Sequence, residues 1–173
     1  MSDVKEEVLK SYGLYETAAK RALFDAKQMA RDLGHPYMGT AHLLVGVLRH
    51  EHHGQRATPP IEIDVERVHA KAVRRLGSGV PMPEGHIPYT FGSYKTLIAA
   101  ATIARVRQDD HICTGHLLLA LALPMAPDAS VSAAGFLRRK QRSQDPGFYD
   151  CAQRLLSDVA GSLDRVREIR AVL

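Results

Sequence analysis

Apolar residues recur along most of the chain at three- and four-residue spacing, the interval that gathers side chains on one face of an α-helix. From Thr17 to Leu33 the positions Ala19, Leu23, Ala26, Ala30 and Leu33 keep that spacing, and Gly34 ends the run. After the turn Gly34-His35-Pro36 a second helix is predicted from Thr40 to about His50, with Leu43, Leu44, Val47 and Leu48 in the core. The polar stretch from Glu51 closes on Pro59-Pro60, which forbid an interior helix there. Asp64 is a good N-cap for a third helix to Leu76, with Val65, Val68, Ala72 and Leu76 on one side. Gly77 to Gly85 reads by composition as a linker.

The plan then recurs. An Ala-rich helix runs to about Arg107, a turn follows at Gln108-Asp109-Asp110, and a helix spans Thr114 to Leu123. Another helix is expected from about Ser130 to Arg139, beyond the break at Pro124 and Pro127. Asp145-Pro146 opens a last helix, whose Phe148, Ala152, Leu155, Val159, Leu163, Val166 and Ile169 carry an apolar stripe to the C-terminus. No segment shows the alternation of a strand.

Two stretches, Thr40-Ala41-His42-Leu43-Leu44 and Thr114-Gly115-His116-Leu117-Leu118, match at a shift of 74 positions. The same shift pairs Tyr15 with Tyr89, Leu23 with Leu97, Ala26 with Ala100, Ala30 with Ala104 and Arg31 with Arg105. This is an internal tandem repeat. Thr40 and Thr114 are expected to cap their leucine-rich helices by accepting first-turn amides. The fold expected is all-α, a pseudo-twofold tandem repeat of a roughly four-helix motif with an extended C-terminal helix. One domain would cover 1–173, with repeat one at about 12–80, repeat two at about 86–156 and the extension at 157–173.

With 173 residues, 45% of them hydrophobic, there is ample material for one core. No Gly-x-x-x-x-Gly-Lys-Ser/Thr or Gly-x-Gly-x-x-Gly segment is present, so nucleotide hydrolysis is not expected. The net charge of +4 permits nucleic-acid binding without indicating it, because Lys and Arg alternate with acids along most of the chain. The charged start Met-Ser-Asp-Val-Lys-Glu-Glu lacks an apolar region, and the run Leu117 to Leu123 is too short to span a bilayer. A soluble, cytoplasmic protein with no membrane partner is expected. Cys113 and Cys151 form no Cys-x-x-Cys pair and read as free thiols.

His42 and His116 invite a metal or acid–base reading, but no carboxylate or cysteine stands beside either at ligand spacing, so each is expected to be a satisfied structural histidine. His50, His52 and His53 read as a solvated loop that could catch a stray divalent metal. Arg105, Arg107, Arg138, Arg139, Lys140 and Arg142 read as a solvated basic face. No nucleophile–base–orienter set is visible, so the protein is not expected to be an enzyme, and neither cofactor nor metal is expected.

Gly34-His35-Pro36-Tyr37-Met38-Gly39-Thr40-Ala41-His42-Leu43-Leu44 is similar to the G-H-N-Y-I-G-T-E-H-L-L of the Clp amino-terminal domain, and Gly85-His86-Ile87-Pro88-Tyr89-Thr90 resembles the G-H-I-P-F-T that opens its second repeat in actinobacterial ClpC. The resemblance runs from about Tyr12 to Leu156. It implies the double four-helix repeat that precedes the ATPase rings of ClpA- and ClpC-type unfoldases, here without the unfoldase. It also implies a groove for apolar peptides and cyclic peptide antibiotics. Aromatic residues at the positions of Tyr12 and Tyr89 and a histidine at that of His86 line it in those relatives, and Leu23, Phe24 and Tyr94 join the candidate set here. Against this, Tyr15 and Tyr89 can be read as repeat-equivalent core aromatics.

The sequence departs from the family at two places that matter. Pro59-Pro60 interrupt the short helix expected after the Thr40 helix. Ala41 and Gly115 replace the glutamates that the resemblance implies hold the guanidinium of phosphoarginine. The function expected is a non-catalytic binding module of the Clp protease system. It would bind substrates, adaptors or cyclic peptide antibiotics in competition with the ClpC unfoldase, and the apolar stripe of its C-terminal helix would pack on the protein's own body or pair with a second copy. The alternative is a nucleic-acid-linked regulator, though no helix-turn-helix recognition helix is evident.

Overall fold

The computed structural model describes residues 12–50, 63–83 and 85–122 together with Leu155. After a 3-10 turn at Tyr12–Leu14 come five helices: α1 (Thr17–Asp32), α2 (Thr40–His50), α3 (Val65–Leu76), α4 (Phe91–Val106) and α5 (Thr114–Ala122). Among the described residues there is no strand, and the fold is all-α. The helices predicted from Ser130 and from Asp145, and the stripe beyond Leu155, lie outside the described residues. Leu155 itself is buried in the core.

The leucine-rich repeat helices α2 and α5 form the centre. Every residue of α5 is buried, as is α2 from Thr40 to Leu48. A helix that is apolar all round needs neighbours on every side. Here α2 and α5 pack on each other and on α1 and α4. Gly46 lets α2 approach α1 closely, since a Cβ there would run into the Ala22 carbonyl. The equivalent position on α5 is Ala120.

The two halves are interlocked by a reciprocal exchange of main-chain bonds. Ile112 donates to the Leu14 carbonyl at 2.8 Å and accepts from Glu16 at 3.0 Å. One repeat away, Met38 donates to Pro88 at 2.8 Å and accepts from Thr90 at 3.0 Å. Thus Tyr15 pairs with Ile112 and Tyr89 with Met38, each in parallel. The turn before α2 grips the segment before α4, and the turn before α5 grips the segment before α1.

Helix ends carry the repeat too. Both long helices close with the same C-terminal pattern, His35 N–H bonding Ala30 and Asp109 N–H bonding Ala104. The left-handed position is Gly34 (φ 72°) in one copy and Gln108 (φ 60°) in the other. The linker is tied along the end of α1, where Gly79 donates to Leu33 and Met82 to Arg31. Asp64 caps α3 as expected, accepting from the Arg67 amide at 3.0 Å.

Thr40 and Thr114 do not cap. They are the first helical residues, and their buried hydroxyls have no hydrogen-bond partner among the described residues. The carbonyls that accept the first helical bonds belong to Gly39 and Cys113. The reason lies two positions further on. His42 Nδ1 accepts the Gly39 amide at 3.0 Å and His116 Nδ1 accepts the Cys113 amide at 3.1 Å. An imidazole at the third helical position reaches back to the cap residue, the task that Glu or Gln performs in a capping box.

Candidate functional site

Tyr89 and Tyr94 meet where the two halves interlock, and Tyr12 is near enough to Tyr89 for their phenols to interact electrostatically. The Tyr15 amide bonds the Tyr12 carbonyl at 3.3 Å, which folds the 3-10 turn back and leaves the Tyr12 ring 6.2 Å from the Tyr15 ring. Tyr89 is fixed between the two Met38 bonds, and its ring lies 5.2 Å from that of Tyr94 at 60°. Burial raises the Tyr89 phenol above its ordinary range, and the neighbouring phenols of Tyr12 and Tyr94 push it further. Burial also raises that of Tyr94. These phenols stay neutral at physiological pH and offer hydroxyls as hydrogen-bond groups.

The cluster is open to solvent on the Tyr12 side. Tyr12 is 48% exposed and Phe24 64%, whereas Tyr15 is buried in the core. Repeat equivalence therefore does not extend to burial: Tyr15 is a core residue and Tyr89 is half-buried beside exposed neighbours. Lys20 places its ammonium 5.8 Å from the centre of the Tyr12 ring, and Phe24 follows Lys20 by four residues on the same face of α1. A rigid ring surface with polar tips is suited to contact with a peptide.

Leu23 does not belong to this surface. It points to the inward face of α1 and is 5% exposed, because the spacing that makes it core in α1 also makes Leu97 core in α4. His86 is exposed three residues before Tyr89, and among the described residues no hydrogen bond or ring contact joins it to the tyrosines.

The two repeat histidines are more fully engaged than sequence spacing suggests. His116 Nε2 donates to Asp109 Oδ2 at 2.9 Å, and Cys113 Sγ is 3.4 Å from His116 Nδ1. A carboxylate and a cysteine do stand beside this histidine, contrary to expectation, since the turn before α5 folds Asp109 back onto the helix start. Thiol, imidazole and carboxylate are in the order of a nucleophilic triad. Yet the thiol and the ring are buried, at 4% and 1% exposure, and Nδ1 is already committed to the Cys113 amide. The set caps the start of α5.

In the first half His35 takes the place of Asp109. Its Nδ1 lies 2.9 Å from His42 Nε2, and the backbone of Leu76 and Gly77 at the end of α3 is near enough to its ring to favour the charged form. His42 is fully buried; burial, then the charge of His35, lowers its pKa to about 3. Burial lowers that of His35 as well. His116 is lowered by burial, against the opposing pull of Asp109. The shift of 74 positions that aligns the histidines also aligns His35 with Asp109, so this pairing was open to inspection in the sequence.

Elsewhere, His50 is no solvated loop residue: its Nε2 lies 2.8 Å from Asp25 Oδ2 and ties the end of α2 to α1. His52, His53 and residues 138–142 lie outside the described residues. Arg107 Nε is 3.8 Å from Asp109, an internal contact of the α4–α5 turn. Among the described residues no group of three or more His, Cys, Asp or Glu could hold a metal ion. None of their helices is long and apolar enough to cross a membrane.

Residues 14–130 match the Clp repeat (R) N-terminal domain family. The chain is 40% identical over 60 residues to an ATP-dependent Clp protease ATP-binding subunit ClpA homolog of Porphyra purpurea, a match that takes in 34% of this chain and 7% of that protein. It is 27% identical over 111 residues to the chaperone protein ClpB of Oceanobacillus iheyensis, covering 64% of this chain and 14% of the relative. The chain thus spans a small fraction of the length of these relatives. The N-terminal domain of the chaperone ClpD of Arabidopsis thaliana superposes with a TM-score of 0.51 at 18% identity, covering 84% of this chain and 96% of that domain, which is a likeness of fold.

Proposed function

Because this chain belongs to the Clp repeat N-terminal domain family, we propose that it is a non-catalytic binding module. It takes peptides, unfolded segments or adaptor proteins of the Clp protease system on the surface formed by Tyr12, Tyr89, Tyr94 and Phe24. The observation that carries this reading is the Tyr89–Tyr94 ring pair, with the half-exposed Tyr12 near enough to Tyr89 to raise its pKa. The mechanism is occupancy. A preformed aromatic surface binds an apolar segment without chemistry, and so competes for ligands with a ClpC unfoldase in the same cytoplasm. Cyclic peptide antibiotics with apolar and aromatic side chains belong to the same ligand class.

Fluorescence anisotropy with a labelled cyclic apolar-aromatic peptide tests the reading. Truncating an aromatic anchor usually costs about 2 kcal/mol or more, so Tyr89→Ala should weaken binding at least roughly tenfold with an unchanged helical circular dichroism spectrum. Equal binding by the two proteins, or none by the wild type where a ClpC amino-terminal domain binds, would remove the groove. Binding to DNA that weakens steeply with salt would favour the nucleic-acid alternative instead.

A further inference from the structure

Hydrogen bonds around His42 run in one direction. The Gly39 amide can only donate, so His42 Nδ1 is an acceptor and the ring proton must be on Nε2. That proton points at His35 Nδ1, 2.9 Å away, which must therefore accept. The other ring nitrogen of His35 then carries that ring's proton. The four ring nitrogens carry two protons between them, and a third has no free place, because both acceptor nitrogens are taken. Added to His42 it opposes the Gly39 amide, and added to His35 Nδ1 it faces the proton of His42.

The turn that this chain of bonds secures is the one that grips Tyr89. Gly39 follows Met38, and Met38 carries the two bonds on either side of Tyr89, with a third from Ser93 Oγ to its carbonyl at 2.8 Å. The charged groups on the surrounding elements do not offset a proton here. Arg31 at the end of α1 is turned to Gln28 and the Gly85 carbonyl, and Arg74 in the last turn of α3 to the Ala70 carbonyl. Asp32 and Arg75 complete the charged residues of those two ends, Tyr37 stacks on His35 at 6.2 Å, and α4 presents the neutral Thr90 and Ser93. No carboxylate contributes to the titration of either ring.

In the second half the same position is Asp109, a carboxylate that welcomes charge on His116, and the turn there grips Tyr15. We propose that the His35–His42 pair is a proton-operated latch on the Met38–Tyr89 junction, so that acidification loosens the first-half turn and frees the Tyr89 side of the aromatic surface before the Ile112–Tyr15 junction yields. Nothing in this depends on what the aromatic surface binds.

Amide hydrogen exchange, resolved by residue in NMR spectra and corrected for the intrinsic effect of pH, reads both junctions in one molecule. Opening exposes ordinary histidines that take up protons below about pH 6.5, whereas the closed pair does not. Protection of the Met38 and Thr90 amides should fall by about tenfold or more between pH 7.5 and 5, and that of Ile112 and Glu16 by clearly less. His35→Asp, which copies Asp109, should bring the first junction to the behaviour of the second. Parallel loss at both junctions in the wild type, loss at neither, or greater loss at Ile112 and Glu16 overturns the proposal. So does a folded His35→Asp protein that tracks the wild type. Should that variant fail to fold, the comparison within the wild type decides alone.

Discussion

Met38 holds Tyr89 in place from the other half of the molecule, donating its amide to the carbonyl before Tyr89 and accepting the amide after it. The repeat mate of this pair, Ile112 with Tyr15, makes the same two bonds, but Tyr15 is buried and Tyr89 is half-buried. Symmetry of the backbone thus supports an asymmetry of side chains, and the functional proposal rests on that difference.

Tyr15 and Tyr12 should therefore separate stability from binding. Tyr15→Ala removes a core aromatic and should cost about 3–5 kcal/mol in urea denaturation. Tyr12→Ala removes an exposed ring and should leave the midpoint within about 0.5 kcal/mol while weakening the cyclic peptide.

Gly46 is expected to tolerate nothing larger. A Cβ there meets the Ala22 carbonyl, which is helix backbone and cannot turn aside. Gly46→Ala should lose about 1–3 kcal/mol or more and lower the melting temperature, despite the better helix propensity of alanine. Gly39 has room by comparison, since a Cβ there would be at 3.6 Å from His42 Nδ1, and its repeat mate is already Cys113.

Gln108 occupies a left-handed position that its mate Gly34 fills without strain. Gln108→Gly should raise stability by up to about 1 kcal/mol, the steric cost of a side chain in that conformation. Gly34→Ala should do the reverse and more, because its Cβ would also strike the Val80 carbonyl of the linker.

Acid should weaken the whole fold in a definite interval. His42 is neutral when folded, with its pKa lowered to about 3, and titrates near 6.5 when unfolded. The unfolded chain binds the extra proton first, so this contribution is complete above about pH 6.5 and is lost as pH falls toward 3. It amounts to a few kcal/mol, an order-of-magnitude figure for a fully buried ring. Denaturation midpoints measured from pH 8 to 4 should decline through this interval, and a flat profile would show that His42 is not confined as described.

Phosphoarginine should bind weakly. Ala41 and Gly115 offer no carboxylate to a guanidinium, and both positions are buried at the starts of α2 and α5. Losing a charged partner costs on the order of 1–3 kcal/mol per site, or about ten- to a hundredfold in affinity, against a relative that bears the glutamates. Calorimetry with the two proteins side by side checks this.

The helices were legible because their causes are local. The three- and four-residue spacing of Ala19, Leu23, Ala26 and Ala30, the turn chemistry of Gly34 and the cap at Asp64 act within a few residues, and α1 to α5 begin and end close to where those signals put them. The repeat, and with it the pseudo-twofold plan, is a property of the string of residues itself. What bonds to what was not legible, because it depends on which turns meet after packing. Thr40 and Thr114 carry the standard mark of a cap and make none, since Gly39 and Cys113 hold the cap position and the histidines reach back to their amides. Leu23 and Phe24 are neighbours in sequence, and the spacing that puts Leu23 on the inward face with Ala19 and Ala26 leaves Phe24 off it, 64% exposed. His35 and Asp109 could be aligned by counting, but that each completes a buried histidine required the turns to fold back onto the helix starts. Sequence alone determined the helical segments and their duplication, which arise from short-range periodicity. The tertiary structure decided the exposed tyrosine cluster and the one-way chain of histidine bonds, because both are made by residues that are far apart along the chain and meet only when the two halves interlock.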